Sequence, residues 1–514
     1  MRAAVQWRAP RDTTVHELPM TLVNAGLDRW RVDLPLATIG CHHLTVVGWT
    51  DHYASWVDEL GKRVRARQAD VASEIAEGIA LVERVATGLG GADQREVRAL
   101  LQQLREVAVD PARLLAAAST DEALSLMAKL APREDEARYR PELVVTADRE
   151  RARLGAWYEL FIRSQATAPG RSGTFLDAER RLDDIRRLGF DVVYLAPIHP
   201  IGYANRKGPN NRLGAGPGDP GSPWAIGSEH GGHTAIEPAL GTMEDFEHFV
   251  GAVAARGMEI ALDLAIQCSP DHPWAAEHPE WFYRRPDGTI RYAENPPKKY
   301  EDIYPLNFDT PDWKNLWEAL RDVVLFWVAR GVRIFRVDNP HTKPIGFWTW
   351  LIASVQHVHP DVLFLAEAFT RPPMMQALAK RGFTQSYTYF TWRNTKRELT
   401  EYLTELTSTD AALYFRPNFF ANTPDILPSI LQQGGRPAFK SRLVLAATLS
   451  PTYGIYSGFE LCENAAVPGR EEYLDSEKYQ LRPRDWKQAE AEGRTLAPFL
   501  GRLNELRRAH PALQ

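Results

Sequence analysis

Cysteine is scarce in this chain: three residues in 514, Cys41, Cys268 and Cys462, far apart from one another. That spacing excludes a disulfide framework or a CxxC metal clamp and fits a reducing compartment. Long hydrophobic runs are lacking too, since no stretch approaches the roughly 18 apolar residues of a membrane helix. The opening MRAAVQWRAP has no apolar signal-peptide segment. Positive charge is not in excess: 61 Lys+Arg face 66 Asp+Glu, a net −5. A protein that coats nucleic acid or lies on anionic lipid needs a basic footprint. The expectation is a cytoplasmic protein with no nucleic-acid and no membrane partner. What is present is ordinary globular material, 44% hydrophobic and 25% charged. The 15 Trp, 17 Tyr and 20 Phe are read chiefly as core.

The apolar pattern changes period along the chain. Residues 1–57 alternate short apolar runs with turn signals, as in RWRVDLPL (29–36) and HHLTVVGW (42–49), which predicts a small, partial β-sandwich. Residues 58–138 read as a helical insert, with Val64, Val71, Ile75, Ile79, Val82, Leu100, Leu101, Leu104 and Val107 at helical spacing. Residues 139–153 supply a last strand and a linker. From 154 to 514 apolar strands alternate with amphipathic helices. Eight strand candidates start at AWYELFI (156–162) and DVVYLAPI (191–198) and end with TYGIYSGFE (452–460). That grammar predicts an α/β fold, a (β/α)8 TIM barrel, and no Gly-rich phosphate fingerprint supports a doubly wound sheet. Two connections, 199–241 and 267–311, exceed the roughly 12–15 residues beyond which a loop is usually functional. Both leave C-terminal strand ends, where barrel active sites are built.

Three carboxylates occupy such ends: Asp338 in RIFRVDN, Glu367 in LFLAEAF and Asp425 after LYFRPNFFANTPD. Each could be a helix cap or a turn residue instead, Asp425 in NTPD most readily. Paired carboxylates about 5–5.5 Å apart perform retaining glycoside chemistry, one as nucleophile and one as acid/base. Arg336, two residues before Asp338, shares its face of the strand and would keep it ionised. Apolar neighbours would raise the pKa of Glu367. ENPPKKYEDIYP offers Asn295, Lys298, Lys299 and Tyr300 as donors for an anionic leaving group, stiffened by Pro296–Pro297. The bland alternative is a solvated Lys-rich turn. RKGPNN brings Lys207 over the same site. His230, His233, His272 and His341 form no HExxH or comparable pair, so no metal is expected; His233 is read as a sugar contact or a structural histidine.

FRVDNPH (335–341), FLAEAF (364–369), ANTPD (421–425) and ALDLAIQ (261–267) resemble the strand motifs of the α-amylase superfamily, glycoside hydrolase family 13. Within it the chain is most similar to the maltosyltransferases that use α-maltose 1-phosphate. Long motifs carry this likeness, among them APIHPIGYANRKGPNN (196–211), AENPPKKYEDIYP (293–305) and EEYLDSEKYQL (471–481). The resemblance implies Asp338 as nucleophile, Glu367 as acid/base and Asp425 as transition-state stabiliser. It implies donor-site roles for Lys207, Gln267, Asp302, Asn339, Lys478 and Tyr479, with Asn295, Lys298 and Tyr300 around the phosphate. It further implies an α-1,4-glucan acceptor, no cofactor, a homodimer, and a shortened chain without a C-terminal β-sandwich. Thr423-Pro424 and Gln267-Cys268 stand where common amylases carry other sugar-binding residues, which favours a phosphate-donor transferase. A hydrolase or isomerase of α-glucans and a non-catalytic glucan-binding protein are the alternatives.

Overall fold

The computed structural model describes every residue except 169, 297 and 514, so the expected stiffening at Pro297 lies outside the described residues. The chain forms two compact units, Met1–Ala147 and Asp148–Gln514. In the first, the ten-residue strand Gly40–Trp49 is the centre of an antiparallel five-stranded sheet. It pairs with Arg2–Arg8 on one side and with Ala137–Arg138 and Leu143–Ala147 on the other. His16–Pro19 extends the sheet beyond Arg2–Arg8.

Five helices follow the central strand: His52–Arg65, Ala72–Gly88, Gly91–Val107, Pro111–Ala118 and Asp121–Leu130. Side-chain caps start three of them: Asp51 accepts from Ala54 N, Asp110 from Ala112 and Arg113 N, and Thr120 from Ala123 N. Their apolar stripes meet around Trp56, Leu60, Val82, Val97, Leu104, Leu114 and Met127. The helical stretch thus begins at His52, not at 58, because the Asp51 cap lets Tyr53, Trp56 and Val57 join that core. It ends at Leu130, and 137–138 are already strand.

The second unit is a closed barrel of eight parallel strands. They are β1 Gly155–Leu160, β2 Val192–Leu195, β3 Glu259–Leu264, β4 Ile334–Val337, β5 Leu363–Ala366, β6 Gln385–Tyr387, β7 Pro417–Phe420 and β8 Thr452–Tyr456. Neighbours pair in chain order, and β8 closes on β1 through Thr452↔Gly155 and Tyr456↔Glu159. Residues of β1 and β2 are all buried, as strands covered on both faces must be. Trp157, Val192, Tyr194, Ala261, Ile334, Leu363, Leu365, Tyr387 and Phe420 fill the interior.

The strands are shorter than their apolar runs, and at β6 and β7 turns account for it. Thr388 caps a 3-10 turn over Tyr389–Trp392, and Thr409 caps another over Asp410–Leu413, so backbone donors in both runs go to turns. No described helix is long and apolar enough to cross a membrane.

Above the C-terminal ends of β2 and β3 the two long connections fold against each other. Gly202 packs so tightly on Ser269 that a Cβ there would sit 2.4 Å from the Ser269 Cβ. Ser269 N donates to Ile226 O at 2.6 Å and its Oγ to Gly227 O at 2.5 Å. Within 267–311, Ala293–Asn295 and Lys298–Tyr300 form a small antiparallel hairpin.

Candidate active site

Asp338 and Glu367 follow β4 and β5 directly, and the ladder continues through them. Asp338 N donates to Leu264 O at 3.1 Å and Glu367 N to Val337 O at 3.0 Å. Both side chains are buried, although carboxylates rarely are unless paired. The partner is Arg336. Its Nη1 donates to Asp263 Oδ2 at 2.8 Å and Asp338 Oδ1 at 3.0 Å, while its Nη2 forms an ion pair with Glu367. The two-residue spacing of Arg336 and Asp338 puts them on one face, and one guanidinium clamps three acids.

The two acids hold their protons differently. Burial alone would push Asp338 up, but the charges of Arg336 and Lys343 and a hydrogen bond from Glu367 outweigh it and hold Asp338 below its ordinary value. Burial pushes Glu367 well above the carboxylate range, and the negative charges of Asp338, Asp425 and Asp263 add to this against the opposing Arg336. The two acids are thus biased in opposite directions, Asp338 toward the carboxylate and Glu367 toward the carboxylic acid. Environments that separate two pKa values in this way divide the roles of nucleophile and acid.

After Asp338 the chain turns through Asn339 in the left-handed region, φ 44°, where Asn is among the tolerated residues. Asn339 Nδ2 reaches Asp338 Oδ1 at 3.4 Å. Lys343 Nζ donates to the carbonyls of Asp338 and Asn339, both at 3.3 Å, and so pins this turn.

Asp425 lies beyond β7. Thr423 Oγ1 accepts from Asp425 N at 3.2 Å, so the threonine makes the turn and the Asp425 carboxylate is left for Lys478, whose Nζ is 2.5 Å away. Burial pulls the Lys478 pKa down, but Asp425 more than reverses it. The ammonium stands 4.9 Å from the Trp224 ring and 6.0 Å from that of Tyr479. Gln267 donates through Nε2 to Trp224 O at 3.3 Å. Nearby, buried Asp302 is pushed up to about 6 by burial, against the charges of Lys207 and Lys478. Its Oδ1 has no protein partner, which leaves an acceptor for a ligand hydroxyl. Lys207, 3% exposed, pairs with Glu301 at 2.5 Å.

Asn295, Lys298 and Tyr300 share the hairpin at the rim. Asn295 is exposed, and Lys298 is half-exposed in an ion pair with Glu472. No described contact joins Lys298 to Asp338 or Glu367. The structure thus brings Arg336, Asp338, Asn339 and Glu367 together and gathers Asp425, Lys478, Tyr479 and Asp302 beside them. The hairpin joins this second group through Lys207, whose Nζ donates to Lys299 O at 3.4 Å, and through Tyr300, which lies close enough to act on Lys478 and Tyr479.

Sequence reasoning gave no role to several of these groups. Asp263 also accepts from Tyr194 OH at 2.6 Å and is pushed up to about 7, chiefly by burial. Glu159 of β1 is 2% exposed, and burial raises it well above the ordinary range. A carboxylate inside an apolar strand was the available signal for both. Lys343, Glu301 and Glu472 carried none, because only the fold gives them their partners.

His233, Cys268 and His272 are buried within metal-binding distance of one another. Their hydrogens are already committed. Trp274 N donates to His272 Nδ1, which leaves the His272 proton on Nε2, 3.0 Å from His233 Nδ1, and His233 Nε2 faces Ala265 O at 3.0 Å. Burial lowers both histidines, His233 to about 4 and His272 to about 2, which keeps the two imidazoles neutral.

The family model described as alpha-1,4-glucan:maltose-1-phosphate maltosyltransferase, domain N/S, matches residues 1–149. The alpha amylase catalytic-domain model matches residues 161–344. An alpha-1,4-glucan:maltose-1-phosphate maltosyltransferase of Rhodospirillum rubrum is 54% identical over all of this chain and 76% of its own length. One from Streptomyces coelicolor is likewise 54% identical over the whole chain and 76% of its length. Among solved structures, an alpha-amylase from Lactobacillus plantarum superposes with a TM-score of 0.53 at 23% identity, covering 70% of this chain and 81% of that one. An alpha-amylase from H. orenii gives 0.54 at 18% identity, over 70% and 83%. These likenesses show the barrel fold.

Proposed function

The chain belongs to the α-1,4-glucan:maltose-1-phosphate maltosyltransferases, transferases built on the α-amylase barrel, and from that premise we propose how its residues divide the reaction. The donor is α-maltose 1-phosphate and the acceptor the non-reducing end of an α-1,4-glucan. An oxygen of Asp338 attacks the anomeric carbon as the carbon–oxygen bond to phosphate breaks and Glu367 passes its proton to the departing phosphate oxygen, giving a β-maltosyl ester, inorganic phosphate and an ionised Glu367. The acceptor 4-hydroxyl then attacks that carbon, Glu367 takes its proton, and the Asp338 ester bond breaks. Two inversions restore the α configuration.

The observation that carries this reading is the pair Asp338 and Glu367 on one guanidinium, the first held down by the Arg336 charge and the second pushed up by burial and its acidic neighbours against that charge. Asp425, held by Lys478, is assigned to the cationic transition state, and its charge acting on Glu367 supports this. Asp302, Lys207, Gln267, Asn339, Lys478 and Tyr479 are assigned to the maltosyl unit, and Asn295, Lys298 and Tyr300 to the phosphate. A phosphate dianion gains from such donors, whereas a neutral glucan leaving group does not.

The deciding experiment incubates the protein with α-maltose 1-phosphate, with and without a maltooligosaccharide, and measures phosphate and product length. Acceptor-dependent phosphate release with products growing by two glucose units is expected. No phosphate release at all would sink the assignment, and shortening of the oligosaccharide alone would favour a hydrolase. Family membership also supports a homodimer in the cytoplasm. Leu143, Val144 and Val145, 39–58% exposed on an outer strand of the first unit's sheet, give it an apolar surface to cover. Sedimentation of the purified chain tests this, and a monomer at micromolar concentration would count against it.

A further inference from the structure

Lys298 already holds an anion, and the anion belongs to the protein. Its Nζ forms an ion pair with Glu472, 174 residues further along the chain. Glu472 is a fixed group. The preceding Glu471 accepts from Trp392 Nε1 at 2.7 Å, Ser429 N at 3.1 Å and Ser429 Oγ at 3.0 Å. The backbone of Glu472 accepts from Val467 N at 2.8 Å, and the next residue, Tyr473, bridges to Ala466. A carboxylate is thus mounted on a braced segment and aimed at the cation of the hairpin.

We propose that Glu472 is a built-in competitor for phosphate at Lys298, and that it sets how loosely the enzyme holds the phosphate it releases. The inference rests on the assignment of Lys298 to the phosphate. A phosphate group reaching Lys298 meets a neutralised ammonium and must displace Glu472. The displaced carboxylate has a second cation at hand, since Arg470 Nη1 lies 3.9 Å from Glu472 Oε2. Lys298 and Glu472 are 36% and 35% exposed, so their pairing is weak enough to exchange. The maltosyl part of the donor has its own contacts deeper in the site, and inorganic phosphate has none of them. Competition at Lys298 weakens donor and product phosphate by the same factor, but the maltosyl contacts still hold the donor, so inorganic phosphate alone becomes a loosely held ligand that leaves quickly.

Inorganic phosphate is the probe, titrated calorimetrically into the whole chain and used as an inhibitor of transfer. Glu472→Gln, which keeps the shape and removes the charge, should bind phosphate about three- to tenfold more tightly. Glu472→Ala should do the same. Lys298→Met should weaken phosphate, and adding Glu472→Gln to it should restore nothing. Unchanged or weaker phosphate binding in both Glu472 variants, with Lys298→Met still impaired, overturns the competitor role alone. Phosphate binding indifferent to Lys298→Met overturns the phosphate assignment together with it.

Discussion

Replacing Glu367 with Gln should separate the two halves of the reaction. Phosphate, with a second pKa near 6, departs as a stable anion and needs little help from an acid. The acceptor hydroxyl is a poor nucleophile until a base takes its proton, and positioned acid–base groups contribute roughly 10²–10⁴-fold to such steps. Glu367 can serve as that base only after losing its own proton, a proton that burial and the neighbouring acids favour in the free enzyme.

Formation of the Asp338 ester supplies the change. Asp338 becomes neutral, and one negative charge beside Glu367 disappears while Arg336 stays. Two unit charges about 4 Å apart at an effective dielectric near 20 interact by about 4 kcal/mol. Lifting that repulsion shifts the protonation equilibrium by about a thousandfold toward the carboxylate. The acid of the free enzyme thereby becomes the base of the intermediate. Glu367→Gln keeps a donor to Asp338 and a neutral side chain, so the first step should survive within about tenfold while the second falls by about 10²–10⁴. Rapid-quench phosphate measurement should show a burst equal to the enzyme concentration, then slow turnover, and the ester should be visible by mass. Asp338→Asn should give no burst. A Glu367→Gln enzyme without a burst, at correct fold and donor binding, refutes the reasoning.

Lys298→Met and Tyr300→Phe should each lower kcat/KM for α-maltose 1-phosphate, Lys298→Met by about 10²-fold, with the acceptor KM unchanged; an equal loss toward both substrates would contradict their place at the phosphate. Lys343→Met removes a charge that helps keep Asp338 ionised. Because Asp338 is held below its ordinary value, its function is lost only as pH falls through that lowered value. The variant should move the acidic limb of the kcat/KM profile upward, and Lys343→Arg should largely restore it. Gly78→Ala normally stabilises a helix by up to about 1 kcal/mol. Here the new Cβ would fall 1.9 Å from the Trp56 ring, so the helical unit should instead lose about 1–3 kcal/mol, read as a lower Tm.

The barrel was legible because most of its strands sit in near-continuous apolar runs that alternate with amphipathic helices, a pattern few other sheets share. Strand ends were less so. Nothing in SYTYFTW distinguishes Thr388 as the residue that diverts the run into a turn; that depends on where β7 stops pairing. The helical insert shows the same limit, since the cap at Asp51 is an ordinary Asp until the core behind Tyr53 is known. Asp338, Glu367 and Arg336 could be read from their strands because two-residue spacing fixes a shared face. Lys207 with Glu301, Lys298 with Glu472 and Lys478 with Asp425 could not, because each pair joins different loops.

The charge balance around Arg336 lies furthest from any motif. One guanidinium serves Asp263, Asp338 and Glu367 directly, and it also opposes the burial of Glu159. Four buried acids cannot all ionise around one cation, because the desolvation of each unpaired charge costs several kcal/mol. Protonation is favoured where burial is least offset: Glu159 and Glu367 are pushed well up and Asp263 to about 7, while Asp338 is held below its ordinary value. The nucleophile and the acid are thus chosen by the whole group. Neutral substitution of Glu159 or Asp263, neither of which needs to touch substrate, should therefore shift the pH range over which Glu367 keeps its proton.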